Sequence, residues 1–448
     1  MGGENAMENR AVTHVFRRDA QDGMPVAVRA DGAWITDSGG RRYLDAAGGA
    51  IVVNIGHGDA DVVRAMHEQA AAVAYVHGTQ FTTEALEAYA DELAPLLPLD
   101  EPRIYPVSGG SEAVETALKM ARAYHLARGD SGRHRVIARW GSYHGNSRGA
   151  LDASGRESLR RPYEPWLGQA LHVPAVYEYR CPLPEHPQGC GAAHADELER
   201  AILEAGPETV AAFIAEPVGG ATLGAAVPPD DYWPAVADVC RRHAVLLIAD
   251  EVMTGFGRTG RWFGLDHWGT RADILTAGKG AASGYWPLGL AVASGRVAET
   301  LSRGGFVHGF TYSHHAVGAA VGRAVLRRLQ QDHLVERSRE LGERLFKDLT
   351  AALSDSPHVG DVRGLGTMIG MELVADRSTR EPFSRGERAT ERVVRAARDA
   401  GLLLYSSTGC ADGTNGDLVM VGPPFVLTDD DADRLVELTA RAVGKLSA

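Results

Sequence analysis

A chain of 448 residues suits two or three domains, and its 44% hydrophobic and 23% charged composition is that of a globular protein with a sizeable core. The formal charge of −12 argues against a general nucleic-acid binder, and no apolar run approaches the ~20 residues of a membrane helix. Residues 1–22 are polar and lack the apolar centre of a secretory signal, so a cytoplasmic location is the default expectation.

The chain opens on turn-rich sequence, Asp31-Gly32 and Ser38-Gly39-Gly40, between short β-like runs at 33–36 and 42–45. Apolar residues spaced by three and four predict helices over 60–73 and 84–96. The centre then alternates. A strand over 103–107 leads through Ser108-Gly109-Gly110-Ser111 into a helix over 112–127, and further strands are expected at 136–140, 210–215, 245–249 and 274–277. The 245–249 run is continuously apolar and reads as buried on both faces. Strands separated by helices imply an α/β protein with a mostly parallel sheet covered on both sides. Residues 317–353 are strongly helical. A smaller α+β unit follows, with strands at 368–374, 402–405 and 418–421, a helix over 387–400 and a last helix from Asp429. The expected partition is a small domain built from residues 1–60 and 331–448, beside a large domain of residues 61–330.

Four cysteines do not make a disulfide framework. Cys181 and Cys190 flank a Pro-rich stretch with His186 and His194 nearby. A metal clip or a local disulfide is an alternative there, but a loop with two free thiols is the plainer expectation, and no metal is expected. Lysine is scarce: Lys119, Lys279, Lys347 and Lys445 are the only four among 46 basic residues. A lysine in an apolar, glycine-rich setting is then present for amine chemistry that arginine cannot perform, and only Lys279 meets that description.

In parallel α/β sheets, sites lie beyond the carboxyl ends of the strands, and five features here each follow a predicted strand. Ser108-Gly109-Gly110-Ser111 enters a helix N-terminus, whose free N–H groups suit a phosphate; an ordinary capped turn is the plainer alternative. Tyr143-His144-Gly145 offers a ring to stack on a planar ligand, and Glu216-Pro217 offers a carboxylate at a strand end. Asp250 closes a buried strand and needs a cationic or donor partner, which a protonated pyridine nitrogen or a structural ion pair would supply. Lys279, between Gly278 and Gly280, would be a desolvated amine nucleophile; an isolated Gly-Lys-Gly is more often a surface turn. Together they supply a phosphate seat, a stacking ring, a pyridinium partner and an imine-forming lysine, the combination that pyridoxal phosphate requires.

From Tyr43-Leu44-Asp45 and Gly56-His57-Gly58 to Pro423-Pro424-Phe425, the sequence resembles the class III aminotransferases, a pyridoxal-phosphate family of fold type I. The most specific stretch is residues 247–260, from Leu247-Ile248-Ala249-Asp250-Glu251-Val252 to Gly255-Phe256-Gly257-Arg258-Thr259-Gly260, together with Gly278-Lys279-Gly280. The resemblance implies a seven-stranded, mostly parallel sheet in the large domain. It assigns Lys279 to the Schiff base and Asp250 to the pyridine nitrogen, with Tyr143 on one ring face and Val252 on the other. Gly110 and Ser111 would hold the phosphate, with Ser108, Gly109, His144 and Glu216 among the cofactor contacts. Thr311 would donate to the phosphate of the neighbouring subunit, which implies a homodimer with two shared active sites.

Two departures stand out. Ser313 is followed by His314-His315-Ala316, and no arginine lies between Gly401 and Thr428 to take a substrate carboxylate. Arg258 and Arg363 are the alternative carboxylate ligands, and Trp34, Tyr75, Phe81 and Trp286 are candidates to line the entrance. The implied reaction moves an amino group between an amine or amino acid and a 2-oxo acid or aldehyde, by a ping-pong cycle. Racemisation or epimerisation would use the same lysine, and a nucleotide- or sugar-phosphate-binding protein is the alternative of a different class.

Overall fold

A computed structural model of the chain describes residues 14–16, 24–183, 186 and 189–447; the N-terminal segment read as lacking a secretory signal lies, apart from residues 14–16, outside them. The large domain is built on a seven-stranded sheet. Its order is Arg103–Val107, Gly289–Ala293, Ile274–Ala277, Leu246–Asp250, Val210–Ala215, Arg135–Arg139 and Ala170–Val173. All neighbours run parallel except around Gly289–Ala293, which is antiparallel to both strands beside it.

Every residue of Val210–Ala215 and Leu246–Asp250 is buried. The pleat divides their side chains between two cores. Phe213, Ala215, Leu247 and Ala249 pack under helices Cys190–Ala205 and Tyr232–Arg242, while Ala212, Ile214, Leu246 and Ile248 pack under helix Gly110–Ala127. Burial on both faces is why these strands read as continuous apolar runs rather than alternating ones. Gly289–Ala293 was not expected from sequence, because Gly-Leu-Ala-Val-Ala carries little β signal. Small residues are needed there: a Cβ on Gly289 would collide with the Gly109 carbonyl of the Ser-Gly-Gly-Ser turn.

The small domain joins both ends of the chain. Ala27–Asp31, Trp34–Asp37 and Arg42–Asp45 form an antiparallel sheet that Leu402–Leu403 extends in parallel. Val359–Leu365, Met368–Asp376, Asp417–Val421 and Tyr405–Thr408 form a second, antiparallel sheet. Leu44, Leu345, Leu373, Val419 and Leu435 share one core beneath them. The single strand expected over 402–405 is therefore two, each paired in a different sheet. The helical run from 317 is also divided. Ala316–Gln331 packs on helices Ala60–Ala72 and Glu84–Leu93 of the large domain, and Leu334–Ala352 packs on Asp429–Val443 of the small one. His333, at φ +52°, makes the break. Among the described residues no helix is long and apolar enough to cross a membrane.

Arg258 welds the two domains. It is fully buried, and its two terminal nitrogens donate to Thr367 Oγ1 (3.0 Å), Pro423 O (2.7 Å), Val53 O (3.1 Å) and Asn54 Oδ1 (2.6 Å). This corrects the expectation that Arg258 binds a substrate carboxylate, because its fork is spent on neutral acceptors from three chain segments. Arg258→Ala is expected to cost about 3–5 kcal/mol, since four buried acceptors lose their donor. A urea midpoint equivalent to wild type would show that the network does not hold the domains together.

Candidate active site

The carboxyl ends of the parallel strands open into a cleft of about 420 Å³, lined by Ser108, Gly109, Gly110, Ser111, Tyr143, His144, Glu216, Asp250, Val252 and Lys279. That size lies within the ordinary range for small ligands. Ten of the residues singled out in the sequence as catalytic or cofactor-binding thus meet at one place, because each ends a strand or begins the connection after it.

Asp250 ends its strand almost wholly buried, at 3% exposure, so its charge needs local donors. His144 Nδ1 donates to Oδ2 at 2.6 Å, and Thr276 Oγ1 and the Val252 N–H both donate to Oδ1 at 3.1 Å. His144 is itself fixed by its backbone N–H, which donates to Ser154 Oγ at 2.8 Å, while its Nε2 is buried with no partner among the described residues. The neighbouring Glu251 does not reach the cleft. It accepts from the Gly264 and Leu265 N–H groups and from the Thr254 hydroxyl, and burial pushes its carboxyl up to about 7.

Glu216 accepts from the Tyr143 N–H (3.4 Å) and the Gly220 N–H (3.1 Å), so it braces the loop that carries the tyrosine. Burial pushes its carboxyl above the ordinary range, with His144 opposing and Asp250 reinforcing the shift. Lys279 has φ +44°, an uncommon left-handed conformation for a residue with a side chain. Burial pushes its amine below the usual lysine value, and the Asp250 and Glu216 carboxylates pull against that shift. A lowered amine pKa frees the lone pair that a nucleophile or base needs.

Helix Gly110–Ala127 begins in the cleft, and its first N–H groups have no intrahelical acceptor. Gly110 is required by close packing, since a Cβ there would meet Val252 Cγ1 at 2.9 Å. Gly145, at φ +133°, leaves room for the Ser111 hydroxyl, which accepts from the Asn146 N–H at 3.1 Å. The cleft therefore has an anion seat at one end, a carboxylate with fixed donors within it, a valine floor, a tyrosine and an amine. Those features, with the unpartnered His144 Nε2, fit pyridoxal phosphate.

The substrate candidates divide differently. Trp286 lines the cleft and lies 5.0 Å, ring to ring, from His315. Trp34 does not: its indole N–H donates to Asp431 at 3.3 Å in the small domain, and its ring lies between Arg42 and Arg434. Arg363 is likewise committed elsewhere, to the Leu223 carbonyl, Asp361 and Glu372, with its guanidinium over the Tyr177 ring. Tyr75 and Phe81 are exposed and do not line the cleft; the Tyr75 hydroxyl donates to the Thr311 carbonyl at 2.8 Å. Thr311 is also exposed, and His314 and His315 pack edge-on or tilted against Tyr105, Tyr75 and Trp286. Val52, Ala221, Met253 and Pro287 line the cleft without having been expected. They are apolar residues on connections, where sequence carries no periodicity that aims a side chain.

The sequence matches the family profile "Aminotransferase class-III" over residues 16–443. It is 37% identical to the uncharacterized aminotransferase YodT of Bacillus subtilis, over 96% of this chain and 97% of that protein. It is 34% identical to the putrescine–pyruvate aminotransferase of Pseudomonas aeruginosa, over 97% and 93% of the two chains. Among solved structures, an (S)-enantioselective omega-transaminase from Thermomicrobium roseum superimposes with a TM-score of 0.89 at 38% identity, covering 95% of this chain and 94% of that one. An amine transaminase from an uncultivated Pseudomonas species, in its pyridoxal-phosphate-bound form, gives 0.90 at 35% identity, covering 97% and 99%. With the fold, the cleft and these relatives in agreement along almost the whole chain, the protein belongs to the class III aminotransferases and carries out pyridoxal-phosphate-dependent transamination.

Proposed function

We propose that this aminotransferase takes its amino group from primary amines whose reacting carbon bears no carboxylate, and passes it to a short 2-oxo acid. The observation that carries the reading is the lining of the cleft. Val52, Ala221, Met253, Trp286 and Pro287 surround the approach to Lys279, and no arginine is among the lining residues. A carboxylate entering such a surface loses hydration without gaining a cation, a cost that a short 2-oxo acid meets once, glutamate twice and a simple amine not at all. Arg258 and Arg363 are occupied by protein acceptors. The putrescine–pyruvate aminotransferase relative supports the pairing of a carboxylate-free amine with a short 2-oxo acid.

Bound pyridoxal phosphate supplies an electron sink for the bonds broken at the amino-bearing carbon. The protein's residues do the rest. Lys279 holds the cofactor covalently and, once displaced, takes and returns the proton of the substrate carbon. Asp250, held by His144, Thr276 and the Val252 N–H, keeps the ring nitrogen protonated. Val252 and Tyr143 enclose the ring, and the N–H groups at Gly110 and Ser111 orient the phosphate. Thr311 serves the partner subunit of a homodimer. Supporting this, Thr311 lies on an exposed segment with Val307 and Tyr312, and exposed Tyr75 packs against that segment, an apolar patch of the kind that marks an interface.

With pyruvate as acceptor, putrescine and simple aryl or alkyl amines are expected to exceed glutamate in kcat/KM by at least about tenfold, measured by ketone or aldehyde formation. A preference for glutamate would overturn the donor assignment. Ketone formed without any acceptor would argue against transamination. Lys279→Ala is expected to lower kcat by roughly 10²–10⁴-fold and to abolish the visible absorption of the lysine-bound cofactor. In the cofactor-free protein, pyridoxal phosphate uptake needs the neutral amine, so its rate rises with pH and levels off below the ~10.4 of an ordinary lysine. A plateau at or above that value would contradict the desolvated amine. Thr311→Ala is expected to raise the cofactor Kd about tenfold while leaving the native mass dimeric, as read by equilibrium dialysis and light scattering.

A further inference from the structure

Among the described residues outside the cleft, one cluster of side chains has the chemistry of a ligand set. Cys181, His186, Cys190 and His194 follow the spacing Cys-x4-His-x3-Cys-x3-His. Cys181 directly follows the turn Glu178–Arg180, and His186 lies on the Pro-rich connection after it. Gly189, at φ +102°, turns the chain into helix Cys190–Ala205. Cys190 opens that helix and His194 stands one turn further on, so the two share a face. Asp231 holds the helix start by accepting from the Ala192 N–H at 2.9 Å.

We infer that Cys181, His186 and Cys190, with His194 as the fourth ligand, form a closed, tetrahedral zinc site that staples Cys181 and His186 to the helix behind them. The distances carry the inference. Cys181 Sγ lies 3.8 Å from Cys190 Sγ, 3.5 Å from His186 Nε2 and 3.6 Å from His194 Nε2. With Zn–S near ~2.3 Å and Zn–N near ~2.0–2.1 Å, tetrahedral angles place two sulfurs about 3.8 Å apart, and a sulfur and a nitrogen about 3.6 Å apart. All three edges drawn from Cys181 therefore have the lengths of a zinc tetrahedron. The donor atoms of Cys181, His186 and Cys190 lie within 4.8 Å of one another; His194 stands outside that group, meets it through Cys181 alone, and completes the tetrahedron by a turn of its ring.

A disulfide fits less well, because bonded sulfurs stand ~2.05 Å apart and Cys181 and Cys190 are both free. His194 is 2% exposed, and Nε2 faces a thiol, a weak hydrogen-bond partner. A metal ion gives that nitrogen a stronger partner. Binding balances simply: Zn²⁺ displaces one proton from each thiol, and the two thiolates with two neutral imidazoles leave no net charge. Four protein ligands leave no open position, so the role is structural rather than catalytic. The staple has something to hold. Arg180, beside Cys181, pairs with Glu372 at 2.5 Å and donates to the Arg380 carbonyl at 2.7 Å, so this segment contacts the small domain.

The test uses the full-length holoenzyme, purified without a histidine tag from zinc-supplemented cells and dialysed. Elemental analysis is expected to find about one zinc per chain. Cys181 and Cys190 should resist a thiol reagent until a chelator is added, and two thiols should then react. Cys190→Ser and His186→Asn should each weaken zinc retention at least about 100-fold, while the visible cofactor band reports an intact fold. His186 is half-buried and lies outside the helices and strands, so its variant tests the site even if Cys190→Ser misfolds. Zinc content near zero, variants that keep wild-type zinc, thiols reactive without chelator, or thiols released only by a reductant would each overturn the site.

Discussion

The buried guanidinium of Arg258 is the constraint on which the active-site architecture rests. Among the described residues it hydrogen-bonds only to neutral oxygens, with the Asp45 carboxylate acting on it at longer range, so its desolvation is offset only if those acceptors are in place. Those acceptors come from the N-terminal segment, from the residue after Gly366 and from the Pro423 turn. Asn54 carries the network onward: its side-chain amide donates to the Phe256 carbonyl at 2.7 Å, and its N–H donates to Ser283 Oγ at 2.8 Å. Gly280 packs so closely on Asn54 that a Cβ there would strike the amide. The loop that presents Lys279 is thus clamped by the same bonds that join the domains, which lets it hold an uncommon backbone conformation.

Around this clamp the electrostatics of the cleft are arranged by burial. Asp250 has three donors, and Glu216 has two backbone donors with its carboxyl pushed up. Two acids at neighbouring strand ends thereby take different characters, one held by three donors inside the cleft and one bracing a loop. Lys279, desolvated between them, is pushed towards its neutral form. The anion seat is separate. It depends on the helix at Gly110 beginning where the sheet ends, and on glycines that let Val252 and the Gly289 strand approach.

Much of this was legible in sequence. Strands such as 210–215 and 274–277 coincide with the structure, because burial on both faces forces unbroken apolar runs. Asp250 and Lys279 were legible because charge beside such runs is costly and lysine is rare in this chain. Trp34, Arg258 and Arg363 were not. Each is a long side chain whose partners come from distant segments, Asp431 for the first, Pro423 for the second and Leu223 for the third. Periodicity states which face a residue occupies, but not which remote oxygen its tip reaches.

By itself, the sequence determined the alternation of the central parallel strands with helices, the family and the cofactor, because these follow from local apolar pattern and from motifs whose chemistry is local. Only the tertiary structure decided that Arg258 and Arg363 reach protein acceptors from distant segments, that the helical run breaks at His333 to change cores, and that Cys181 stands within 4 Å of Cys190, His186 and His194. The physical reason is the same in each case. A hydrogen bond or a ligand geometry is a property of several atoms at once, and the chain brings those atoms together only after its cores have packed.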